Sequence, residues 1–343
     1  MENDARAESP YHPFECVHRA IMERAFSPRP SFRSESLGVA QDWYGSRRWR
    51  RCKRGLSRRK KTPANSPQVV MADLIDPDWL ARFGGIGRLF GTAAMERLHA
   101  SHVCVIGIGG VGSWVVEALA RTGIGALTIV DADDVCVTNI NRQLPALTDT
   151  VGRPKVSVMA ERVRLISPSC RIEALPEFYT KANAAELLAL PFDFVVDCVD
   201  RMSIKAHLIH ECRTRGLRIL TCGSAGGRRD PSQIRADDLG RAGNDELLRQ
   251  VRRQLRREHG WPEGRGGLAL PMGVPCVFTG EMPLYPRADG TCSADPEEGE
   301  SLRMDCASGF GAATFITGVF GFIAASEVVR LLLSGDGVPQ RAD

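Results

Sequence analysis

The sequence predicts an α/β fold: a Rossmann-like, parallel-dominated sheet with helices on both faces. Three observations carry that expectation. From residue 100 onward, short β-branched runs alternate with stretches of helical periodicity, as parallel strands joined by crossover helices do. A cluster of glycines, Gly107, Gly109, Gly110 and Gly112, follows the first of those runs and opens the first helical stretch. At 343 residues with 43% apolar content, the chain is long enough for one large α/β domain, or two smaller ones, with a real core.

Residues 1–70 carry 15 Lys and Arg against 7 Asp and Glu, with the run SRRWRRCKRGLSRRKK at 46–61 and no apolar periodicity. Such a stretch cannot bury enough apolar surface to offset its ordering entropy, so a basic disordered extension is expected there. The remainder has 30 basic against 34 acidic residues, which confines the surplus behind the formal charge of +4 to the extension. A nucleic-acid-binding arm, a targeting sequence and the product of an upstream start codon compete as readings. The acidic residues disfavour an import presequence. Met71, which opens a stretch that reads as ordered, is the expected biological start, with a basic RNA-contacting tail as its rival.

Strands are expected near 102–107, 126–131, 171–175, 193–198 and 217–222, and helices near 111–123, 153–167, 182–190 and 201–215. A highly charged helical stretch follows at 244–259, and the Gly/Pro-rich segment 260–306 reads mostly as loop with some strand. The 20 residues 307–326 carry no charge and meet the length criterion for a membrane span. Four glycines plus Ser308, Thr314, Thr317 and Ser326 equally suit a helix buried against protein. A buried helix, facing a subunit interface, is the expectation, and membrane association through 307–326 the alternative. Residues 335–343 read as a flexible tail, leaving 71–334 as the folded domain.

Eleven cysteines are scattered without a CxxC pair or a secretory signal. That usage suits reduced thiols in a cytoplasmic enzyme and argues against a disulfide framework and a tetrathiolate zinc site.

The glycines have separable jobs: a tight turn, close backbone approach to phosphate, and helix–strand packing, with the helix N-terminus attracting the anion. Asp131, 24 residues beyond Gly107 at the end of the second strand, is placed for ribose hydroxyls. These features alone admit a dinucleotide or ATP. Asn139, Asn141, Arg142 and Gln143, within twelve residues of Asp131, favour phosphoryl chemistry over a nicotinamide. Arginine offers a fork of donors to phosphate oxygens, and Lys155, at an expected helix start, a compact charge. Each cation taken singly is an ordinary surface charge; together at this spacing they read as a triphosphate clamp.

The series GxGGxG, DxD, NxNRQ, PK and VVDCVD (195–200) resembles the superfamily of ATP-dependent carboxylate-adenylating enzymes that includes the ubiquitin-activating, thiamine-biosynthesis and molybdopterin-biosynthesis activators. Within it, RFGGIGRLFG (82–91), GSAGGRRDPSQI (223–234), PCVFTGE (275–281) and RMDCASGFGAATF (303–315) resemble the tRNA threonylcarbamoyladenosine dehydratase branch, over roughly residues 72–333. The resemblance implies a ubiquitin-activating-enzyme-like adenylation fold with ATP and Mg2+ as cofactors. It implies nucleotide or magnesium contacts from Gly110, Asp131, Asn139, Arg142, Lys155 and Asp200, with Asp200 as the metal ligand. It also implies a homodimer in which Arg82 or Arg88 reaches the neighbouring subunit's triphosphate; a plain helix-surface charge is the competing reading for both.

The implied substrate is tRNA carrying threonylcarbamoyladenosine next to the anticodon, whose threonyl carboxylate is adenylated and then attacked within the same modified base. Ring closure of that kind needs no thioester, so Cys276, in the stretch read as loop, is expected to be a buried or incidental thiol. A cysteine desulfurase or sulfur acceptor is a further implied partner. Two other classes stay open. One is an adenylyltransferase for the C-terminal carboxylate of a sulfur-carrier protein, against which the missing CxxC pair weighs. The other is a binding module that merely retains nucleotide. Arg249, Arg252, Arg253, Arg256 and Arg257 cluster well enough to track RNA phosphates, although a solvated helix face accounts for them equally.

Overall fold

The computed structural model describes residues 76–262, 270–287, 289–295 and 310–334. The basic extension, Met71, the tail at 335–343 and residues 303–309 of the RMDCASGFGAATF motif lie outside the described residues. Five parallel strands form the sheet's core order: β1 (His102–Ile106), β2 (Ala126–Val130), β3 (Arg171–Leu175), β4 (Phe194–Asp197) and β5 (Ile219–Cys222), four of them from apolar, β-branched runs in which nearly every position is buried. Only β3, at one edge, leaves every position at least partly exposed. β1, β2, β4 and β5 are covered on both faces, which is why they read as continuous rather than alternating hydrophobic segments.

Two strands were hidden by their surroundings. β6 (Ile234–Asp238) and β7 (Pro275–Thr279) extend the sheet to the order β3-β2-β1-β4-β5-β7-β6, β7 parallel to β5 and β6 antiparallel to β7. The stretch containing Cys276 is therefore sheet interior and not loop, because the PCVFT run pairs with β5 despite its Gly/Pro-rich neighbours. A separate two-stranded ribbon pairs β8 (Tyr285–Pro286) with β9 (Cys292–Ser293).

Eight α-helices lie in the described residues: α1 (Pro77–Phe90), α2 (Thr92–Ala100), α3 (Gly112–Arg121), α4 (Lys155–Ile166), α5 (Ala184–Leu187), α6 (Met202–Thr214), α7 (Glu246–His259) and α8 (Thr314–Leu332). α3, α4 and α8 line one apolar cluster with Val103, Val105, Leu127 and Ile129, while α6 and α7 line the other with Cys104, Ile106 and Val195. α7 starts at an Asp245 N-cap, whose carboxylate accepts the Leu248 N–H at 2.9 Å, and stops at Gly260 in the left-handed region. It buries Leu247, Leu248, Val251 and Leu255 and turns its arginine-rich face outward.

The uncharged run 307–326 and the last helix do not coincide. α8 begins at Thr314 after an extended Ala313 and continues through a Glu327–Arg330 ion pair (2.8 Å) to Leu332. It is long and apolar enough to cross a membrane, yet more than half of it is buried within the fold. Ile316 and Phe320 are fully buried, each contributing about 1.5–3 kcal/mol relative to exposure. The helix belongs to the core, as the buried-helix expectation required.

Candidate active site

Strand order reverses between β1 and β4: the chain moves from β1 outward through β2 to β3, then returns to place β4 on the other flank of β1. In such sheets the crevice beyond the carboxyl ends of the strands at the reversal is where ligands bind. The glycine turn leaves β1 into this crevice. Gly107 sits at φ +90°, and a Cβ there would lie 2.8 Å from the Cys198 carbonyl oxygen at the end of β4; at Gly112 it would lie 1.8 Å from the Gly107 carbonyl oxygen. Only glycine permits that crossing. Gly109 differs, because the space beside its Cα meets only the Gln143 amide nitrogen, 3.9 Å away. Gly110 faces Thr317 of α8, 3.1 Å from a Cβ position.

Asp131 braces the turn from below. Its Oδ2 accepts the Ile108 N–H at 2.6 Å and its Oδ1 accepts the Asp133 N–H at 2.8 Å. Burial pushes this carboxyl above its ordinary range, opposed by the Lys155 ammonium and the two N–H donors. Lys155 is the first residue of α4, as its spacing predicted; it is 5% exposed and donates to Asp133 at 2.8 Å. Asp133 is the residue the sequence reading passed over, although the DxD pattern held the signal.

The NxNRQ segment lies across the mouth of the turn. Asn139, buried, accepts the Cys136 N–H through its side-chain oxygen at 3.0 Å and so shapes the 137–139 turn. Asn141 donates to the Ala312 carbonyl at 2.8 Å, and the Thr314 hydroxyl donates back to the Asn141 carbonyl at 2.6 Å. Arg142 donates from Nη1 to the Thr138 carbonyl (2.8 Å) and the Asn141 side-chain oxygen (3.0 Å), while its own carbonyl accepts from Trp114 and Thr317. Both asparagines thus spend amide bonds on the protein itself. Ser113 couples the two segments, donating to the Gly109 carbonyl at 2.7 Å and accepting the Leu144 N–H at 3.3 Å.

Gln143 is buried, and its Oε1 has no protein donor. A buried acceptor beside the open space at Gly109 suits a hydroxyl or amino donor of a nucleotide. Asp200 is exposed three residues beyond β4, the strand that flanks β1 on the side away from β2. The residues present therefore fit a magnesium nucleotide: open backbone at Gly109, cations at Arg142 and Lys155, and one exposed acid at Asp200 for the metal.

The two arginines of α1 stand apart from this group. Arg82 pairs with Asp78 at 2.6 Å and reaches the carbonyl of Ile166, the last residue of α4, whereas Lys155 is the first. A helix of that length spans about 16 Å, so Arg82 lies well away from its own chain's Lys155. Arg88, exposed near the end of α1, packs beside Gly84 and Gly85. Cys276 is fully buried in β7, and burial pushes its thiol well above the ordinary value. A thiol so placed is a packing group and not a nucleophile.

A model of the ThiF family matches residues 85–342. The chain belongs to the ThiF family. ThiF-family relatives fall at two distances from it. The tRNA threonylcarbamoyladenosine dehydratase of Escherichia coli K12 is 46% identical over 265 residues, covering 77% of this chain and 98% of that protein. The crystal structure of E. coli tRNA N6-threonylcarbamoyladenosine dehydratase, TcdA, in complex with ATP superposes with a TM-score of 0.67 at 42% identity, covering 76% of this chain and 98% of that one. The same enzyme has also been solved in complex with AMP. By contrast, the sulfur carrier protein adenylyltransferase of Thermus thermophilus is 40% identical over only 110 residues, 32% of this chain and 40% of that protein. The ThiF fold is thus a mostly parallel Rossmann-like adenylation sheet, as the sequence predicted.

Proposed function

We propose that this ThiF-family chain is an ATP-dependent tRNA threonylcarbamoyladenosine dehydratase that closes the modified base into its cyclic form. The carrying observation is the 46% identity to the E. coli dehydratase across nearly that protein's full length, alongside the shared fold with that enzyme's ATP complex. The alignment with the sulfur-carrier adenylyltransferase covers less than half of that protein, which leaves carrier activation as the weaker reading.

The chemistry follows from the side chains. A threonyl carboxylate is a poor electrophile, because its charge is delocalised and its leaving group is bad. In line with the α-phosphorus, its oxygen displaces pyrophosphate, and the acid becomes an acyl adenylate. Charge builds on the equatorial and leaving oxygens during this step, and preorganised cations are worth most there. Lys155, held by Asp133, and Arg142, held by Thr138 and Asn141, are already fixed and need not reorganise. Magnesium, bound through Asp200 and the phosphates, would add Lewis-acid neutralisation of the same charge. The ureido group of the modified base then attacks the activated carbonyl, forming the ring and releasing AMP and a proton. That attack is intramolecular, and effective molarities of ~10⁵ M or more make a protein nucleophile unnecessary.

Arg82 or Arg88 completes the site from a second copy of the chain. The support is geometric: Arg82 reaches the far end of α4 from Lys155, and exposed apolar side chains, Val137 and Ile140 beside the asparagines and Phe315 beside Thr314, offer a surface for a second copy. The outward arginines of α7 supply a surface for RNA phosphates. The deciding experiment incubates the protein with ATP, magnesium and tRNA bearing the open modification, digests the RNA and weighs the nucleoside. Loss of one water with matching AMP release is expected; an unchanged nucleoside mass overturns the proposal.

A further inference from the structure

Asp197 and Lys205 form an ion pair of 2.8 Å in which both side chains are fully buried. Taking two charges out of water costs more than their attraction returns unless further hydrogen bonds complete the pair. Here they do. Asp197 Oδ2 also accepts the Thr221 hydroxyl at 2.7 Å, and Lys205 Nζ donates to that hydroxyl at 3.1 Å and to the Asp197 carbonyl at 3.4 Å. Asp197 Oδ1 accepts the Val199 N–H at 3.1 Å, closing a two-residue turn. Burial pulls the lysine pKa down, and the adjacent carboxylate outweighs it, so the ammonium stays charged.

The placement of this pair is specific. Asp197 is the last residue of β4, Thr221 lies opposite it on β5, and Lys205 is in the first turn of α6. Asp200 sits on the short link between β4 and α6, and one buried cluster pins both ends of that link. The same link presents the Cys198 carbonyl against which Gly107 crosses, and the Cys198 N–H donates to the Ile106 carbonyl at 2.9 Å. The acid and the glycine turn are thus held to a common frame.

We infer that the Lys205–Asp197–Thr221 cluster is a positioning device that holds the Asp200 carboxylate where the nucleotide's magnesium needs it. Lys205 touches neither substrate nor metal; it acts through the link. The inference rests on the reading of Asp200 as the magnesium ligand. A well-packed apolar pair would serve stability as well. What the charged cluster adds is a fixed direction for the link.

The test separates position from stability. The double variant Lys205→Met/Asp197→Asn removes both charges, fills the lysine's volume, and leaves a side-chain oxygen to accept the Val199 N–H. Its melting temperature is expected to stay near that of the parent. The magnesium concentration giving half-maximal AMP formation should rise about ten- to a hundredfold, the usual effect of losing a partner that orients a metal ligand. Calorimetric affinity for ATP should weaken in magnesium and stay unchanged in EDTA. Should the double variant fail to fold, Thr221→Val, which removes one hydroxyl from the cluster, is expected to shift the same midpoint in the same direction. A folded variant with the parent's magnesium dependence overturns the inference. Asp200→Asn, assayed alongside, tests the underlying reading: if it too leaves magnesium dependence unchanged, the assignment of Asp200 has failed and not merely the role of Lys205.

Discussion

Gln143 carries a buried amide oxygen with no protein donor, and such an acceptor left unpaired costs about 1–3 kcal/mol. A ligand hydroxyl or amino group donating to this oxygen would offset that cost and add to affinity. Lys155 shows the complementary logic. Its ammonium is nearly buried yet answered by a half-exposed carboxylate, Asp133, which leaves donors for phosphate. Replacing Lys155 or Asp200 by alanine is expected to lower AMP formation about 10²- to 10³-fold. Cys276→Ser should retain most activity, measured in the same AMP-release assay. A dead Cys276→Ser with intact adenylation would mean that the thiol carries the acyl group. The glycines, Asp131 and Lys155 were legible in the sequence because each obeys a local spacing rule. Asp133 as Lys155's partner, and Lys205 as Asp197's, were not, since those pairings cross 22 and 8 residues and exist only after the sheet has formed.

The seam between α6 and α7 shows what an element can add to stability. His210 of α6 stacks on His259 of α7 with ring centroids 3.7 Å apart, and His207 shares a 3.0 Å hydrogen bond with the Tyr179 hydroxyl. Burial lowers the pKa of both His207 and His259 below 6.5. Lys181, His259 and His210 add to the effect at His207 and Glu211 opposes it; His210 adds at His259 and Glu258 opposes it. The folded state therefore prefers both rings neutral. Their contribution is fully present above pH 6.5 and is lost as pH falls through their lowered values, because the unfolded chain takes up protons first. Melting curves at about pH 7.5 and about pH 5.5 should show a lower Tm in acid, and His207→Gln should shrink the difference. A pH-independent Tm would rule this out. The strands β1 to β5 and the helices α3, α4, α6 and α7 were readable to within a few residues, since the helices carry an amphipathic periodicity and most of the strands a short continuous apolar run. β6 was not readable, because IRADD is short and mostly charged, and β7, inside a segment expected to be mostly loop with some strand, is embedded in glycine and proline. α8 was displaced for a different reason: absence of charge marks burial, and helix bounds depend instead on where the backbone leaves the extended Ala313.

At the scale of the molecule, the glycine turn, Asp131, Lys155 and the NxNRQ segment are tied to one another by hydrogen bonds beside the β1/β4 reversal, whereas Arg82 pairs with Asp78 and the far end of α4. If Arg82 or Arg88 acts across a dimer, mixing Asp200→Ala chains with chains lacking that arginine regenerates intact sites in mixed dimers. Activity should return to about one quarter of the parent level, from two separately inactive preparations. No recovery after subunit exchange would place the arginine's role within its own chain or nowhere. α8 carries a last consequence. Thr314 and Thr317 of this helix donate to the backbone carbonyls of Asn141 and Arg142, and the Ala312 carbonyl just before it accepts the Asn141 side-chain amide, so the start of α8 finishes a pocket begun near residue 107. The segment that faces the nucleotide is therefore anchored by partners more than 170 residues away in sequence, and the crevice is complete only once α8 has docked on the sheet.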